Sequence, residues 1–277
     1  MSAGIISIVL VAAILHATWN ALVKGSNDRA VTLAHISLGH VIPGIALVAI
    51  APMIAPEAWP FIVASTVIHW GYYYFLNLSY RLGDLSLIYP IARGLAPVLI
   101  AIGAQYWAGE ELPIQAWVGI CIVSAGILVL AFNRAKAAGL PIASAMMTSV
   151  IIASYSIVDG IGIRLSGAPL GYIGWLFIAE IFVVLFVCAR FPTRLRSFGG
   201  QATALAISGG VLSGLAYGLV LYAKTLAPLG IVSALRETSV IFATLIGFLV
   251  LKEGNWKRRL GAAVLMMFGI AMIGMNA

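Results

Sequence analysis

The chain has 277 residues, of which 62% are hydrophobic and only 9% are charged, and its mean hydropathy is +1.07. A soluble domain is nearer half apolar and a quarter charged, so this composition excludes a soluble globular protein and indicates an integral membrane protein. The net charge of +7 is spread over short loops, which argues against nucleic acid as a partner.

Apolar runs, separated by charges or by Pro and Gly, follow one another along the whole chain. Each is long enough to cross the bilayer core as a helix, which takes roughly 20 residues. The predicted spans cover residues 4–24, 31–51, 60–80, 85–107, 114–132, 142–163, 170–190, 202–223, 229–251 and 257–275. The sequence therefore predicts an all-α integral membrane protein with ten transmembrane helices and no sizeable soluble domain.

Lys and Arg residues are concentrated in alternate loops. The loops after spans 2, 4, 6 and 8 carry only Arg164 and Lys224. The loops after the odd-numbered spans carry Lys24, Arg29, Arg81, Arg134, Lys136, Arg190, Arg194, Arg196, Lys252, Lys257, Arg258 and Arg259. Since basic loops remain in the cytoplasm, we expect a protein of the inner (cytoplasmic) membrane with both termini on the non-cytoplasmic side.

The second half of the chain resembles the first at an offset of 143 residues. The matched pairs are Gly71 and Gly214, Tyr74 and Tyr217, Arg81 and Lys224, Arg93 and Arg236, Glu110 and Glu253, and Gly126 and Gly269. Five spans per half is an odd number, so residues 1–137 and 138–277 would form two inverted five-helix repeats of one membrane domain. Inverted repeats are typical of alternating-access transporters. The alternative is an old duplication retained only for packing.

Two kinds of motif carry a family resemblance. The first is the opening HATWNALVK; the second is a loop glutamate followed by a Gly-spaced final span, as in GEELPIQAWVGICIVSAG and LKEGNWKRRLGAAVLMMFG. With the ten spans and the five-plus-five repeat, these features resemble the drug/metabolite transporter (DMT) superfamily, EamA type, over essentially the whole chain. The size and outward termini are similar to bacterial amino-acid exporters of the YddG kind. The resemblance implies export of amino acids, including aromatic ones, or of similar metabolites.

Polar residues within spans are expected to line a path, because a charge in hydrocarbon costs roughly 2.5–3.5 kcal/mol on insertion scales. They lie in spans 1, 3, 4, 6, 8 and 9, which we expect to enclose a cavity, whereas spans 5 and 10 are nearly all apolar and should lie outside. The candidate substrate-binding residues are His16, Trp19, Asn20, Tyr73, Asn77, Tyr89, Arg93, Tyr155, Asp159, Tyr217, Arg236 and Glu237.

Aromatic walls with few charges suit an amphipathic, zwitterionic solute. Its carboxylate could meet Arg93 or Arg236, and its ammonium could meet Asp159 or Glu237. A permanent pair of Arg93 with Asp159 or Glu237 would instead be a structural clamp.

A proton is the further candidate partner of the transporter. The groups that could take it up are His16, Asp159, Glu180 and Glu237, and the sequence does not choose among them. Glu180, within FIAEIFVVLF, is interpreted either as such a protonatable group or as a cap for polar atoms of span 6.

Other classes lack their motifs. There is no HExxH, GxSxG or Walker sequence, so we expect neither an enzyme nor ATP hydrolysis, and no cofactor. His35 and His40 do not share a helix face, which argues against a metal site, and Cys121 and Cys188 are interpreted as packing residues. A flippase or transporter of lipid-linked or other metabolites is the alternative function.

Overall fold

A computed structural model describes residues 2–23, 26, 28–83, 85–131, 139–249 and 256–275. Within these ranges every regular element is helical. The α-helices are α1 (Ala3–Val23), α2 (Arg29–Ile50), α3 (Trp59–Leu82), α4 (Leu85–Gly94), α5 (Ala96–Trp107), α6 (Ile114–Val129), α7 (Gly139–Leu165), α8 (Pro169–Ala179), α9 (Ile181–Arg190), α10 (Pro192–Arg196), α11 (Gly200–Lys224), α12 (Leu229–Arg236), α13 (Ser239–Leu249) and α14 (Trp256–Met275). A short 3₁₀ turn, Pro56–Ala58, precedes α3.

Seven helical segments in the described ranges are long and apolar enough to cross a membrane. They are Ala3–Val23, Arg29–Ile50, Leu87–Trp107, Gly139–Leu165, Pro169–Arg190, Gly200–Lys224 and Leu229–Ile246. Two shorter apolar helices, Ile114–Val129 and Leu260–Met275, lie within predicted spans 5 and 10. The prediction of an all-α membrane protein is confirmed at this level. Of the basic residues that carry the orientation argument, Lys24, Arg134, Lys136 and Lys252 lie outside the described residues.

Predicted span 4 consists of two helices, α4 and α5, which meet at Leu95. Pro97 explains this break, because proline has no N–H and its ring clashes with the carbonyl four residues earlier, here that of Arg93. Ser149 of α7 holds the end of α4 by donating to the carbonyl of Ala92 at 2.9 Å. The loosening of this span that its prolines predict is therefore present.

Predicted spans 7 and 9 also consist of two helices each. The divisions lie at Glu180, between α8 and α9, and at Glu237–Thr238, between α12 and α13. Both places have no proline; the backbone instead tightens to i→i−3 bonds, with Glu180 N to Phe177 O at 3.2 Å and Glu237 N to Ala234 O at 3.1 Å.

Helices α6 and α14 pack on each other through small residues. A Cβ added to Gly119 of α6 would lie 2.7 Å from the carbonyl oxygen of Gly269, and one added to Gly126 would lie 3.2 Å from that of Ala262. The backbones are therefore in direct contact, and the helices run antiparallel because the contact moves backwards along α14 as it moves forwards along α6. Besides each other, these helices contact α4, α5, α12 and α13.

The helices that carry the polar candidate residues pack on one another; they are α1, α3, α4, α7, α11 and α12. Helix α1 packs on α11, α12 and α13, and α7 packs on α3, α4 and α5, while α2 lies between α11 and the α8–α9 pair. Gly39 of α2 and Gly210 of α11 have no room for a side chain, because each faces the other helix's backbone. Gly39 and Gly210 therefore allow α2 and α11 to approach each other closely.

Asp28 and Arg194 join two predicted cytoplasmic loops. Asp28 caps α2 by accepting a hydrogen bond from Val31 N at 3.2 Å, and Arg194 Nε donates to its second carboxylate oxygen at 2.7 Å. The hydrogen bond from Arg194 lowers the pKa of Asp28. Cys121 and Cys188 are free thiols, and both are exposed.

Candidate functional site

Two helix ends bring charged side chains into the interior. Arg93 lies in the last turn of α4, Arg236 lies in the last turn of α12, and Glu237 follows as the C-cap residue of α12. A cation is favourable at a helix C-terminus, where the unpaired carbonyls carry partial negative charge. The two helix breaks therefore create equivalent positions for two arginines.

Arg93 and Glu237 form a two-point ion pair. Arg93 Nε donates to Glu237 Oε2 at 3.1 Å, and Nη2 lies 2.8 Å from Oε1. Both residues are buried, at 7% and 4% exposure. The sequence left two possible partners for Arg93, Asp159 and Glu237. In the structure Arg93 is paired with Glu237. Arg93 and Glu237 thus bind each other across α4 and α12, which is the geometry of a clamp.

Arg236 has no such partner. Its side chain is half-buried, and its guanidinium carbon lies 5.6 Å from the ring centroid of Tyr217, within cation–π distance. Among the residues that the structure describes, no carboxylate forms a salt bridge with Arg236. Its N–H groups also form no hydrogen bond within the described part of the chain.

Helix α1 supplies His16 and Trp19 beside the two arginines. Trp19 Nε1 donates to His16 Nδ1 at 3.3 Å, with the rings edge to face at 5.5 Å. Since an indole N–H can only donate, Nδ1 is the acceptor and Nε2 carries the proton of the neutral ring. His16 lies within electrostatic range of Arg236 and Arg93. Asn20 is different, because its side chain donates to the His16 carbonyl at 2.7 Å and is tied to its own helix.

An aromatic wall faces the arginines. Tyr155 of α7 stacks on His69 at 4.3 Å and meets the rings of Tyr72 and Tyr217 edge to face, at 5.8 and 6.2 Å. Tyr89, one turn before Arg93 on α4, is half-buried and lies within electrostatic range of both arginines. The resulting surface is aromatic with few charges, as the sequence predicts.

Asp159 is fully buried behind this wall. It accepts hydrogen bonds from the hydroxyls of Tyr217 at 2.5 Å and Tyr172 at 3.3 Å. Lys224, also fully buried, lies within electrostatic range of Asp159 and donates to the Ser156 carbonyl at 2.8 Å. Asp159 therefore orients the Tyr217 ring that contacts Arg236.

The two candidate residues on α3, Tyr73 and Asn77, have different surroundings. Tyr73 donates to Glu180 at 2.9 and 3.0 Å, so it belongs to a second polar group near the aromatic wall. Asn77, one turn further along α3, is exposed, and no hydrogen bond joins it to the other candidate residues in the described part of the chain.

Three features of the site were not predicted. Lys224 was interpreted as a loop residue but is the buried last residue of α11. Glu180 bonds to Ser37 of α2 and Tyr73 of α3, not to polar atoms of span 6. His69 is a polar residue within span 3, but it was not selected as a site residue. All three depend on contacts between distant segments.

A clasp at one end of the protein joins two loops to the ends of two helices. Glu110, in the loop after α5, accepts the N–H of Leu229, the first residue of α12, at 2.8 Å. Arg164 of α7 lies 2.7 Å from Glu110 Oε1 and donates to the Ala227 carbonyl at 2.9 Å. The clasp, defined as Glu110, Arg164, Ala227 and Leu229, joins residues from both halves of the chain.

Breaking the clasp should open this end. We expect Glu110→Gln to remove the Arg164 ion pair while leaving an acceptor for Leu229 N–H, a loss of about 1–2 kcal/mol, or roughly 5- to 30-fold in an opening equilibrium. In a background without Cys121 and Cys188, the rate of maleimide labelling at Ala227→Cys measures the opening and should rise accordingly. Ser197→Cys, at the opposite end, is the control and should label at an unchanged rate. Unchanged labelling at position 227 would contradict a closing role for the clasp.

The fold and this interior define an all-α membrane protein with a buried, partly charged aromatic centre. No family model and no curated protein matches the chain. A solved crystal structure, described without a function, is similar with a TM-score of 0.78 and 18% identity over 99% of this chain and 98% of that chain. At this identity the similarity shows a shared fold of nearly equal extent.

Proposed function

We propose that the protein is a secondary transporter that exports small amphipathic metabolites, most of all amino acids including aromatic ones, by alternating access around a central site. We assign it to the DMT superfamily, EamA type, in the inner membrane. The observation that carries the proposal is Arg236, a half-buried cation without a carboxylate partner in the described part of the chain, set against an aromatic wall. A fixed enclosed cation of this kind suits a carboxylate that binds and leaves.

The surroundings of Arg236 fit the rest of an amino acid. Tyr217 and Tyr155 offer ring faces and edges to an apolar or aromatic side chain, and His16 offers an N–H donor. The second arginine is occupied by Glu237, so the substrate site has one strong anion anchor rather than two. A ligand with one carboxylate is therefore favoured over a dicarboxylate.

Three features support the inverted repeat. First, an offset of 143 relates the break at Leu95 to the break at Thr238, and α5 to α13. Second, the same offset exchanges Gly119 with Ala262 and Gly126 with Gly269, so it exchanges the two contacts between α6 and α14. Third, Ser37 and Glu180, which are bonded to each other, are themselves 143 apart. Equivalent helices that run antiparallel are what opposite orientation of two halves requires.

Loop contacts support ten crossings with outward termini. The loop before α2 contacts α10, whereas the loops after α2, α5, α7 and α11 contact one another. These two groups are the odd-numbered and even-numbered loops of the proposed topology, so each contact joins loops of one side. The basic residues then assign the Asp28–Arg194 end to the cytoplasm and the clasp to the outside.

The proposal includes neither enzymatic chemistry nor a cofactor. Among the described residues, no group of three or more His, Cys, Asp or Glu side chains could hold a metal ion. The partners proposed are the lipid bilayer, a small-molecule substrate and a proton.

Flux through proteoliposomes tests the function. Purified protein should move labelled amino acids from a panel of aliphatic, hydroxylated, charged and aromatic members, with and without a pH gradient, above the rate of protein-free vesicles. We expect neutral and aromatic members to move and dicarboxylic ones to be excluded. No flux of any member, together with scrambling of a labelled lipid or lipid-linked sugar in the same vesicles, would replace the proposal with the flippase alternative.

A further inference from the structure

One carboxylate within the apolar helices has hydroxyl partners but no cation. Glu180, at the break between α8 and α9, accepts hydrogen bonds from Ser37 at 2.8 Å and from Tyr73 at 2.9 and 3.0 Å. Within the described ranges it forms no salt bridge. Hydrogen bonds donated to a carboxylate favour its charged form. Since an unpaired charge in an apolar segment is costly, an anion held in this way favours a cation that binds from outside the chain.

The acids that the sequence offered to a substrate ammonium are already engaged. Glu237 is paired with Arg93. Asp159 is fully buried, accepts two tyrosine hydroxyls and lies within electrostatic range of Lys224. Of the acids within the described apolar helices, Glu180 is therefore the one whose charge has no fixed counterpart.

A second unsatisfied polar group lies near this carboxylate. His40, one turn after Ser37 on α2, stacks on Phe177 at 5.2 Å and lies within electrostatic range of Glu180. Its buried Nε2 has no hydrogen-bond partner among the described residues. When the proton of the neutral ring is on Nδ1, Nε2 is a hydrogen-bond acceptor. The group thus offers a carboxylate, hydroxyl oxygens and an imidazole nitrogen to one ligand.

These acceptors match a primary ammonium group. It carries one positive charge and three N–H donors, which the Glu180 carboxylate, the Tyr73 hydroxyl and His40 Nε2 can accept. A small hard metal cation prefers oxygen ligands, so the imidazole nitrogen adds nothing for it. The nearby ring of Phe177 also suits an organic cation.

The structure gives a ligand both room and access here. Gly214 of α11 makes space for the imidazole, because a Cβ added there would lie 3.1 Å from His40 Cδ2. Glu180 and Tyr73 are only half-buried, so a small ligand can reach the carboxylate. An interior acid that is accessible and unpaired has the properties of a binding group rather than of a clamp.

The polar group around Glu180 shares no residue with the surroundings of Arg236. Ring contacts connect the two: Tyr73 contacts Tyr72 at 5.6 Å, Tyr72 contacts Tyr155 at 5.8 Å, and Tyr155 contacts Tyr217, which faces Arg236. An anion anchor and an acid without a cation therefore lie at the two ends of one aromatic row.

We propose that Glu180, with Tyr73 and His40, forms a binding site for a primary ammonium group, separate from the carboxylate anchor at Arg236. The ammonium belongs either to the exported amino acid or to an amine without a carboxylate. The first source rests on the proposed function, whereas binding of an amine by Glu180 does not.

Two probes that each carry one of the charges test the site in purified protein. Isothermal titration calorimetry compares phenethylamine, a primary ammonium, with 3-phenylpropionate, a carboxylate. Glu180→Gln should weaken phenethylamine binding by about tenfold or more and leave 3-phenylpropionate binding unchanged, whereas Arg236→Ala should do the reverse. The N,N,N-trimethyl derivative of phenethylamine, which has no N–H donor, should bind the parent more weakly. Glu57→Gln, a matched change at an exposed acid, should alter neither affinity.

Retained 3-phenylpropionate binding shows that Glu180→Gln is folded. If that variant does not fold, Tyr73→Phe decides, with an expected loss of phenethylamine affinity of about 2- to 10-fold. Unchanged phenethylamine affinity in the variant that is folded would overturn the proposal, as would equal binding of the trimethyl derivative. Displacement of phenethylamine by NaCl but not by choline chloride would assign the site to a metal cation and also overturn it.

L-Phenylalanine distinguishes the two sources of the ammonium. Weaker binding of L-phenylalanine to Glu180→Gln assigns the site to the substrate, and unchanged binding assigns it to amines without a carboxylate. Phenethylamine binding that depends on Glu180, in a protein whose proteoliposomes move no amino acid, would keep the ammonium site and reject the transport function. Amino-acid flux together with unchanged phenethylamine affinity in Glu180→Gln would do the opposite.

Discussion

Replacing Arg236 with alanine is expected to raise the KM for amino-acid transport by about 10- to 100-fold while leaving the protein folded. The reason is the loss of charge-assisted hydrogen bonds to the substrate carboxylate, worth about 1.5–3 kcal/mol. Arg236 has no salt-bridge partner in the described residues, so its removal leaves no carboxylate stranded. The measurements are initial rates in proteoliposomes and thermal unfolding in detergent.

Two further variants give this prediction its controls. Arg236→Lys keeps the charge but not the planar fork of donors, and an intermediate KM is expected. Arg196→Ala removes an arginine from an exposed position and should leave KM and stability unchanged. An unaltered KM in Arg236→Ala would remove the anion anchor from the site. A large loss of thermal stability in that variant would make Arg236 a structural residue instead.

Single replacements of Arg93 or Glu237 are expected to be the most destabilising changes in the central site. Each leaves the opposite charge buried and unpaired, which costs about 3–5 kcal/mol. The double variant Arg93→Met with Glu237→Met removes both charges and keeps the apolar volume, so its stability should return close to that of the parent. Thermal unfolding of the four proteins forms the double-mutant cycle.

The outcome of this cycle separates a clamp from a second substrate site. Additive losses in the double variant would show that the two residues act independently, contrary to the observed pair. A stable double variant that retains transport would show that α4 and α12 need packing here but no fixed charge. In either case Arg93, despite its position equivalent to Arg236, is expected to have the larger effect on stability and the smaller effect on KM.

Hydropathy and charge predict much of the fold, because a membrane helix is defined by a local run of apolar residues. Span ends agree with the helices to within a few residues, as for 229–251, which contains α12 and α13. The break at Thr238 could not be predicted, since no proline marks it and the Thr238 hydroxyl bonds to the Leu235 carbonyl at 2.8 Å only in the folded backbone. The break near Pro97 has a local cause, because the proline ring disrupts the helix there.

The candidate site was predicted less completely, because pairing is not a local property. Their positions within apolar spans identify Arg93, Arg236 and Glu237 as interior residues. Which arginine binds Glu237 depends on how α4 and α12 approach each other. Similarly, the burial of Lys224 depends on α7, whose Ser156 carbonyl accepts a hydrogen bond from the Lys224 ammonium group.

The bond between Ser37 and Glu180 has a consequence for how the two halves of the chain meet. Under the proposed repeat these residues occupy equivalent positions, so the contact lies on the axis that relates the halves. A contact between non-equivalent residues would occur twice under the same symmetry, as the two contacts between α6 and α14 do. The Ser37–Glu180 bond is instead a single link between α2 and the break between α8 and α9.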